Sequence, residues 1–239
     1  MFKIISGVLI TILLISIFAL SFTGVVPVLS NFVGAGQKDL GITSTPEESK
    51  DAMNIVGTEI ITLTTVNDPK DGFRLEGKKD ANFTMNSEQI SAHSNHRPWK
   101  NYPLKNVQIK IHDDGQIESS AILVISKALP YAMNLGYSQA QITEVINKYH
   151  LPSVEVPIYI KGYGHVENDQ VKVDARSVKI GGITVPNNLV SQANQEAESV
   201  LEDLIQKNSH SFHCESLSFD KGEMKFKGQV AQKQYVLGN

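Results

Sequence analysis

Two histidine clusters are the strongest candidates for metal chemistry in this 239-residue chain. His93 and His96 stand three residues apart, and His210, His213 and Cys214 lie close together near the C-terminus. Imidazole and thiolate groups are common zinc ligands. The H-E-x-x-H pattern of zinc proteases is missing from the sequence, however, and Cys214 is its single cysteine. We therefore expect solvated histidines and a buried thiol, with no metal site and no cofactor.

Two pairs of adjacent acids could in principle serve acid–base catalysis. Such chemistry needs two carboxylates that converge on one substrate, usually from different elements. Asp113-Asp114 lies in a predicted turn and Glu47-Glu48 at a predicted helix start, so local structure explains both pairs. The serine-hydrolase pattern G-x-S-x-G and the phosphate loop G-x-x-x-x-G-K-S/T are also missing from the sequence. We expect no catalytic residues and no enzymatic activity.

The N-terminus predicts a membrane anchor. No charged residue occurs between Lys3 and Lys38, and the segment from Ile4 to Phe22 is almost entirely apolar. As a helix it would extend about 28 Å, close to the hydrocarbon thickness of a bilayer. The alternative is a cleaved signal peptide, for which Val33-Gly34-Ala35 would be a suitable cleavage site. We assign residues 1–33 to the anchor, with these positions inside the membrane: Ile4, Leu9, Leu13, Ile17 and Phe22.

We expect the rest of the chain to lie outside the cytoplasm. A short N-terminus before a long apolar run is typical of exported proteins, so we expect a single-pass protein with a cytoplasmic N-terminus. The chain has 22 basic and 25 acidic residues, interleaved along the sequence, which argues against a nucleic-acid partner. We assign residues 34–54 to a juxtamembrane linker with a short helix, and residues 55–239 to one extracytoplasmic domain.

The pattern of the domain predicts an α+β fold with an antiparallel sheet. Thr45-Pro46-Glu47-Glu48 has the residues of a helix start, and Asn86 with Gln89 has those of another. Further helices are predicted from Ser138 to Tyr149 and from Asn187 to Lys207. The predicted strands and hairpins are Ile60 to Val66, Phe83 to Met85, Val107 to Ile111 with Ile117 to Ile125, Val154 to Ile160 with Val171 to Ala175, and Phe212 to Phe219 with Met224 to Val230.

The long helix from Asn187 to Lys207 carries one apolar stripe, which we expect a face of the sheet to cover. Glu196, Glu202 and Asp203 lie mostly off this stripe, so charge changes there are predicted to be nearly neutral. Sequence alone cannot separate a filled core from a groove for a hydrophobic ligand, since both use the same residue types. The candidate positions for this groove or core are Ile109, Leu123, Ile125, Val156, Ile158, Val173, Ala197, Val200, Leu201 and Leu204.

Two loop clusters of aromatic residues have two interpretations. One contains Trp99 and Tyr102, and the other contains Tyr131 beside Pro130 and Met133. Aromatic side chains of this kind suit the headgroup region of a bilayer, but they also close the ends of a protein core. The second interpretation is our default.

Four segments in a fixed order resemble a group of bacterial cell-envelope proteins. They are FTMNSEQIS (Phe83 to Ser91), NVQIKIHDDGQIESSAIL (Asn106 to Leu123), VKIGGITVPNNLVSQANQEAESVLEDLI (Val178 to Ile205) and ESLSFDKGEMKFKGQV (Glu215 to Val230). This order resembles proteins of the YpmS, YceB and LmeA kind. The resemblance implies a fold related to tubular lipid-binding (TULIP) domains, in which a curved antiparallel sheet wraps a long helix. It also implies a domain that contacts lipid and performs no catalysis.

Two functional classes remain open at this point. The first is binding of a lipid or another hydrophobic ligand by a membrane-anchored domain. The second is a cell-envelope scaffold with a fully packed core, in which the sheet edges or the long helix recruit a protein partner. The bilayer itself is the partner that both classes share.

Overall fold

The computed structural model describes residues 36–135, 138–140 and 155–238. Within these ranges, no helix combines the length and the apolar character needed to cross a membrane. The predicted anchor from Ile4 to Phe22 lies outside the described residues, as do Val154 and the predicted Ser138–Tyr149 helix beyond residue 140.

The described chain is an α+β protein, as predicted, dominated by a large antiparallel sheet with a few helices. The helices are α1 (Pro46–Val56), α2 (Ser87–Asn95), α3 (Ile125–Asn134) and α4 (Asn187–Lys207), with a 3₁₀ turn at Pro69–Gly72. The strands are β1 (Glu59–Leu63), β2 (Phe73–Glu76), β3 (Lys79–Asn86), β4 (Leu104–Ile111), β5 (Ile117–Val124), β6 (Glu155–Glu167), β7 (Gln170–Ile180), β8 (Ile183–Thr184), β9 (His213–Asp220), β10 (Glu223–Val230) and β11 (Lys233–Leu237).

The eight-stranded sheet is built around the long strand β6. Its strands follow the order β3-β10-β9-β6-β5-β4, and β7 pairs with the other edge of β6 and continues to β8. All of these pairings are antiparallel, and the three predicted hairpins β4–β5, β6–β7 and β9–β10 are present. Asn168 and Asp169 both adopt positive φ in the β6–β7 turn, a conformation that asparagine and aspartate tolerate better than most residues.

A second sheet of three strands was not predicted. Its order is β1-β11-β2, and the β1–β11 pair is parallel, with Glu59 opposite Lys233. Strand β2 has only four residues and β11 only five. Strands this short give weak periodicity, and their pairing joins distant parts of the chain.

Two helix starts are confirmed in detail. The Thr45 side chain accepts a hydrogen bond from the Glu48 backbone N–H, and the Glu48 carboxylate accepts one from the Thr45 backbone N–H. Asn86 and Gln89 form the same reciprocal pair at the start of α2. This arrangement satisfies backbone groups that helix ends otherwise leave unpaired. Helix α1 buries Ala52 and packs against α2, so the end of the predicted linker is part of the domain.

Helix α3 corrects the predicted strand from Ile117 to Ile125. Strand β5 ends at Val124, and Ile125 is the first residue of α3 and packs half-buried against the core. The helix contains Pro130, which ordinarily disfavours a helix interior because it lacks a backbone donor. Complete burial of Tyr131 in the core offsets this cost.

Helix α2 covers the edge of β4 that is not paired with β5. Polar side chains at every fourth residue of α2 accept hydrogen bonds from backbone N–H groups at every second residue of β4. The spacings match because four helical residues advance about 6 Å and two strand residues about 6.6 Å. The pairs are Ser87 Oγ with Ile111 N (2.9 Å), Ser91 Oγ with Ile109 N (2.8 Å) and Asn95 Oδ1 with Val107 N (2.7 Å).

Side chains of helix α4 cover the outer edge of β7 in the same way, by accepting hydrogen bonds from its backbone N–H groups. The prediction that charge changes at Glu202 are nearly neutral is therefore corrected, because the Glu202 carboxylate accepts a hydrogen bond from a backbone donor at the sheet edge. Glu196 is exposed, as expected for a residue off the stripe. The pairs are Asn194 Oδ1 with Ala175 N (3.2 Å), Glu198 Oε1 with Val173 N (3.0 Å) and Glu202 Oε1 with Val171 N (2.9 Å).

We predict that Glu202→Ala lowers the free energy of unfolding by about 1–2 kcal/mol, because it leaves the Val171 N–H without its acceptor. Glu196→Ala is the matched control and should change stability by less than about 0.5 kcal/mol. Chemical denaturation of the full chain in detergent micelles measures both. Equal effects of the two substitutions would contradict the edge-covering role of Glu202.

Candidate functional site: an apolar cavity beside strand β6

A cavity of about 90 Å³ lies on the core side of the sheet. Residues from five strands and from α2 line it, and most of them are apolar. Val173 and Phe219 are only half-buried, so the cavity reaches the surface on their side. Tyr163, His165 and Lys172 also border it, although the strand register turns their side chains to the opposite face of the sheet. The lining residues are Ile90, Ile109, Ile117, Ser119, Ile160, Gly162, Tyr163, Gly164, His165, Val166, Val171, Lys172, Val173, Ala175, Leu217 and Phe219.

Small residues on neighbouring strands leave this space open. Gly162 lies opposite Ile117 on one side and Ala175 on the other, and Ser119 lies opposite Ile160. A β-bulge shifts the register of β6 against β7 at Lys161/Gly162. A Cβ atom on Gly162 would stand 2.3 Å from the Asp174 carbonyl oxygen, so only glycine fits there.

The Ser119 hydroxyl is a buried polar group in the lining. Its Oγ is buried and has no hydrogen-bond partner in the described structure. A buried hydroxyl without a partner destabilises a protein relative to an apolar group of similar shape. Replacing Ser119 by a larger apolar residue would therefore fill the cavity without removing a hydrogen bond.

Only two of the predicted groove positions line this cavity, namely Ile109 and Val173. The others belong to the packed interior, because the stripe of α4 faces the core beside β7 and the cavity lies further along β6. Val200 and Ile125 are half-buried against that core. The buried members are Leu123, Val156, Ile158, Ala197, Leu201 and Leu204.

Of the two histidine clusters, the one near the C-terminus contributes to local structure through His213. Within the described ranges, no group of three or more His, Cys, Asp or Glu side chains could hold a metal ion. Asp169 accepts hydrogen bonds from the His213 ring (2.7 Å) and from the Cys214 backbone (2.6 Å), which ties the β6–β7 turn to β9. Burial, together with the Asp169 charge, raises the pKa of the Cys214 thiol to about 12, so the thiol stays protonated.

His93 is also buried, whereas His96 and His210 are exposed. Burial, and then the charge of Arg97, lowers the pKa of His93 well below its usual value. A neutral imidazole therefore sits in the interior at physiological pH.

The aromatic residues of the two predicted loop clusters close one end of the core, in agreement with the default interpretation, although Tyr131 lies in helix α3 and not in a loop. Trp99, Tyr102 and Tyr131 are buried. The rings of Trp99 and Tyr131 lie 4.9 Å apart, and the Phe73 ring lies 5.2 Å from Trp99. These contacts are typical of aromatic packing in protein interiors.

A charged cluster lies on the opposite face of the sheet, which we call the outer face. Glu118 accepts hydrogen bonds from Lys38 Nζ (2.6 Å) and from the Tyr159 hydroxyl (2.5 Å), and it contacts the His112 ring at 3.0 Å. Burial alone raises the pKa of Glu118, but these hydrogen bonds outweigh burial and lower the pKa to about 2. Sequence reasoning missed this cluster because Lys38 lay in the predicted linker.

Residues 37–40, which we call the strap, are bound across the outer face by this cluster. The Lys38 carbonyl accepts a hydrogen bond from Ser120 Oγ (2.6 Å), and the Leu40 N–H donates one to Gln108 Oε1 (2.6 Å). The Lys38 ammonium also lies 3.9 Å from the centre of the Tyr159 ring. The chain therefore crosses β4, β5 and β6 on the outer face before it enters the domain.

Comparison of this chain with protein-family models, curated proteins and solved structures finds no match. The site is therefore defined by its own geometry, which is an apolar cavity on the core face and a charged, strap-bearing surface on the outer face.

Proposed function

We propose that this is a membrane-anchored, extracytoplasmic protein that binds a lipid or another hydrophobic ligand in the cavity beside β6, without catalysing a reaction. The observation that carries the proposal is the apolar lining of a cavity that reaches the protein surface. The anchor rests on the uncharged apolar segment from Ile4 to Phe22. The resemblance to tubular lipid-binding proteins agrees with the proposal, and burial of the α4 stripe in the common core supports it.

The size of the cavity limits what it holds. An engineered apolar cavity of about 150 Å³ binds benzene. The present cavity, at about 90 Å³, is smaller than that and far below the range for a whole lipid. The ligand portion that fits is the methyl end of an acyl chain or a similarly small apolar group.

The scaffold function has less support. It needs an exposed sheet edge or an apolar patch on α4 to anchor a partner. Helices α2 and α4 cover the outer edges of β4 and β7, while β3 forms the other edge of the large sheet. The outward residues of α4 are polar. These residues include Ser191, Gln192, Gln195, Glu196 and Ser199.

Photocrosslinking tests the cavity as the binding site. The full chain is reconstituted in vesicles with a photoactivatable fatty acid that carries its diazirine at the methyl end. We expect adducts on cavity residues such as Ile117 and Phe219, located by peptide mass spectrometry. Ser119→Leu should reduce these adducts at least severalfold, because its side chain occupies the space, while the protein stays as stable as the wild type.

The matched control is Ser218→Leu. Ser218 lies on β9 between the cavity residues Leu217 and Phe219 but is exposed. This control should leave the adducts unchanged. Adducts spread over the surface, or equal labelling in both variants, would contradict the proposed site.

A further inference from the structure

We propose that a small pocket between helix α1, the end of helix α2 and the three-stranded sheet binds a monovalent anion of about the size of chloride. This second site, which we call the anion pocket, is independent of ligand binding in the cavity beside β6. Its volume of about 20 Å³ is enough for one particle of roughly the size of a water molecule. The lining residues are Met53, Val56, Thr58, Ile60, His93, His96, Arg97, Pro98, Trp99, Gln234 and Val236.

The polar groups of the anion pocket suit an anion better than a cation. Arg97 supplies a permanent positive charge. His93, His96 and Trp99 supply ring nitrogens, and each of these rings carries at least one N–H donor. None of the lining residues that the structure describes is an aspartate or a glutamate. Since an anion accepts hydrogen bonds and a bound cation requires acceptors, this set of donors favours an anion.

The indole of Trp99 points to a bound acceptor. Its side chain is 2% exposed, and its Nε1 has no hydrogen-bond partner in the part of the chain that the structure describes. The Tyr131 ring lies 4.9 Å from the Trp99 ring, and its buried hydroxyl also has no partner there. A buried donor without an acceptor is costly, and native proteins usually supply one. Two such donors therefore lie in or beside the anion pocket.

The charge of Arg97 makes an anion the expected acceptor. The guanidinium carbon lies 5.2 Å from the centre of the Tyr102 ring. Burial lowers the pKa of Arg97 from its usual value, and the positive charge of Arg97 in turn contributes to the lowered pKa of the neighbouring His93. The charge is thus held away from bulk water, where it attracts an anion more strongly than a charge on the surface does.

The anion pocket is open to exchange with solvent. His96 and Pro98 are exposed, and Met53, Thr58 and Ile60 are half-buried at its border. A small ion can therefore enter and leave while the protein stays folded.

Trp99 is the single tryptophan of the chain, so its fluorescence reports on this pocket alone. The full chain in non-ionic micelles is titrated with potassium bromide, which quenches tryptophan through its heavy atom, at constant ionic strength kept with potassium gluconate. We expect quenching that saturates in the millimolar range and that chloride suppresses by competition. The neutral quencher acrylamide should have little effect, because the Trp99 ring is buried.

Removal of the charge supplies the matched comparison. Arg97→Gln should weaken bromide binding at least about tenfold, because it removes a charge-assisted hydrogen bond. Lys100→Gln removes the same charge at an exposed position outside the lining and should bind as the wild type does. His96→Ala changes an exposed lining residue, so it should fold even where Arg97→Gln does not, and it should weaken binding severalfold.

Thermal unfolding gives a readout that does not depend on quenching. Chloride in place of gluconate should raise the Tm of the wild type and of Lys100→Gln, because a ligand that binds only the folded state stabilises it. Quenching by bromide that rises linearly and is unaffected by chloride would overturn the anion pocket and would leave a water molecule as the acceptor for Trp99. Equal bromide binding by the wild type, Arg97→Gln and His96→Ala would overturn it as well, and neither result bears on the cavity beside β6.

Discussion

Leu201→Asp is expected to unfold the domain. Leu201 has no exposed surface and lies in the stripe of α4 that faces the common core. An aspartate there would be a buried carboxylate without a partner, at a cost above about 4–5 kcal/mol. This is a large share of the stability of a typical domain, which is about 5–15 kcal/mol. Circular dichroism of the full chain in micelles should show loss of native structure at temperatures where the wild type is folded.

Ser199→Asp is the matched control, since Ser199 lies two residues away on the exposed face of the same helix. It should remain folded, within about 0.5 kcal/mol of the wild type. Leu204→Ala should cost about 2–5 kcal/mol, because Leu204 is buried and does not line the cavity. Tolerance of Leu201→Asp would show that this helix face does not pack on the core.

Glu118→Gln is the second substitution with a large expected effect. The pKa of Glu118 falls from 4.5 to about 2 on folding, which corresponds to about 3 kcal/mol of stability at neutral pH. Glutamine keeps the size of the side chain but removes the charge that Lys38, His112 and Lys161 surround. Glu155→Gln is the control, because its pair with Lys105 is half exposed and contributes less than about 1 kcal/mol.

The same substitution predicts a pH dependence. Because folding lowers the pKa of Glu118, its contribution is fully present above pH 4.5 and is lost as the pH falls towards 2. The stability of the wild type should therefore approach that of Glu118→Gln as the pH falls through this window. A constant difference between the two proteins from pH 5 to pH 2 would contradict the assigned role of Glu118.

Local signals predicted much of the fold. The helix start at Asn86 needs only residues within one turn, and the β9–β10 hairpin needs only two neighbouring strands. The strands β2 and β11 were missed because their partners are distant in sequence and each strand is short. Helix α3 was missed because Pro130 interrupts its pattern.

The side chains of α4 that cover the edge of β7 could have been predicted from their spacing in the sequence. Asn194, Glu198 and Glu202 recur every four residues alongside the apolar stripe of α4, which matches alternate donors on a strand. By contrast, the charged cluster around Glu118 has no local signal. Its members come from the strap and from separate strands, so only the fold brings them together.

The cavity depends on register in the same way. Ser119, Gly162 and Ala175 are ordinary strand residues in the sequence, and the space arises because β5, β6 and β7 place them side by side. Because these three residues are far apart in the sequence, their spacing does not predict the cavity. The predicted groove therefore centred on the α4 stripe, where the structure has packed core.

Native mass spectrometry of the intact full chain, released from micelles after purification from membranes, tests the central claim most directly. We predict that the wild type and Ser218→Leu retain a bound lipid or other hydrophobic molecule after the micelle is stripped, and that Ser119→Leu loses it. Ligand-free wild-type protein, or the same retained mass in Ser119→Leu, would contradict a hydrophobic-ligand site in the cavity beside β6.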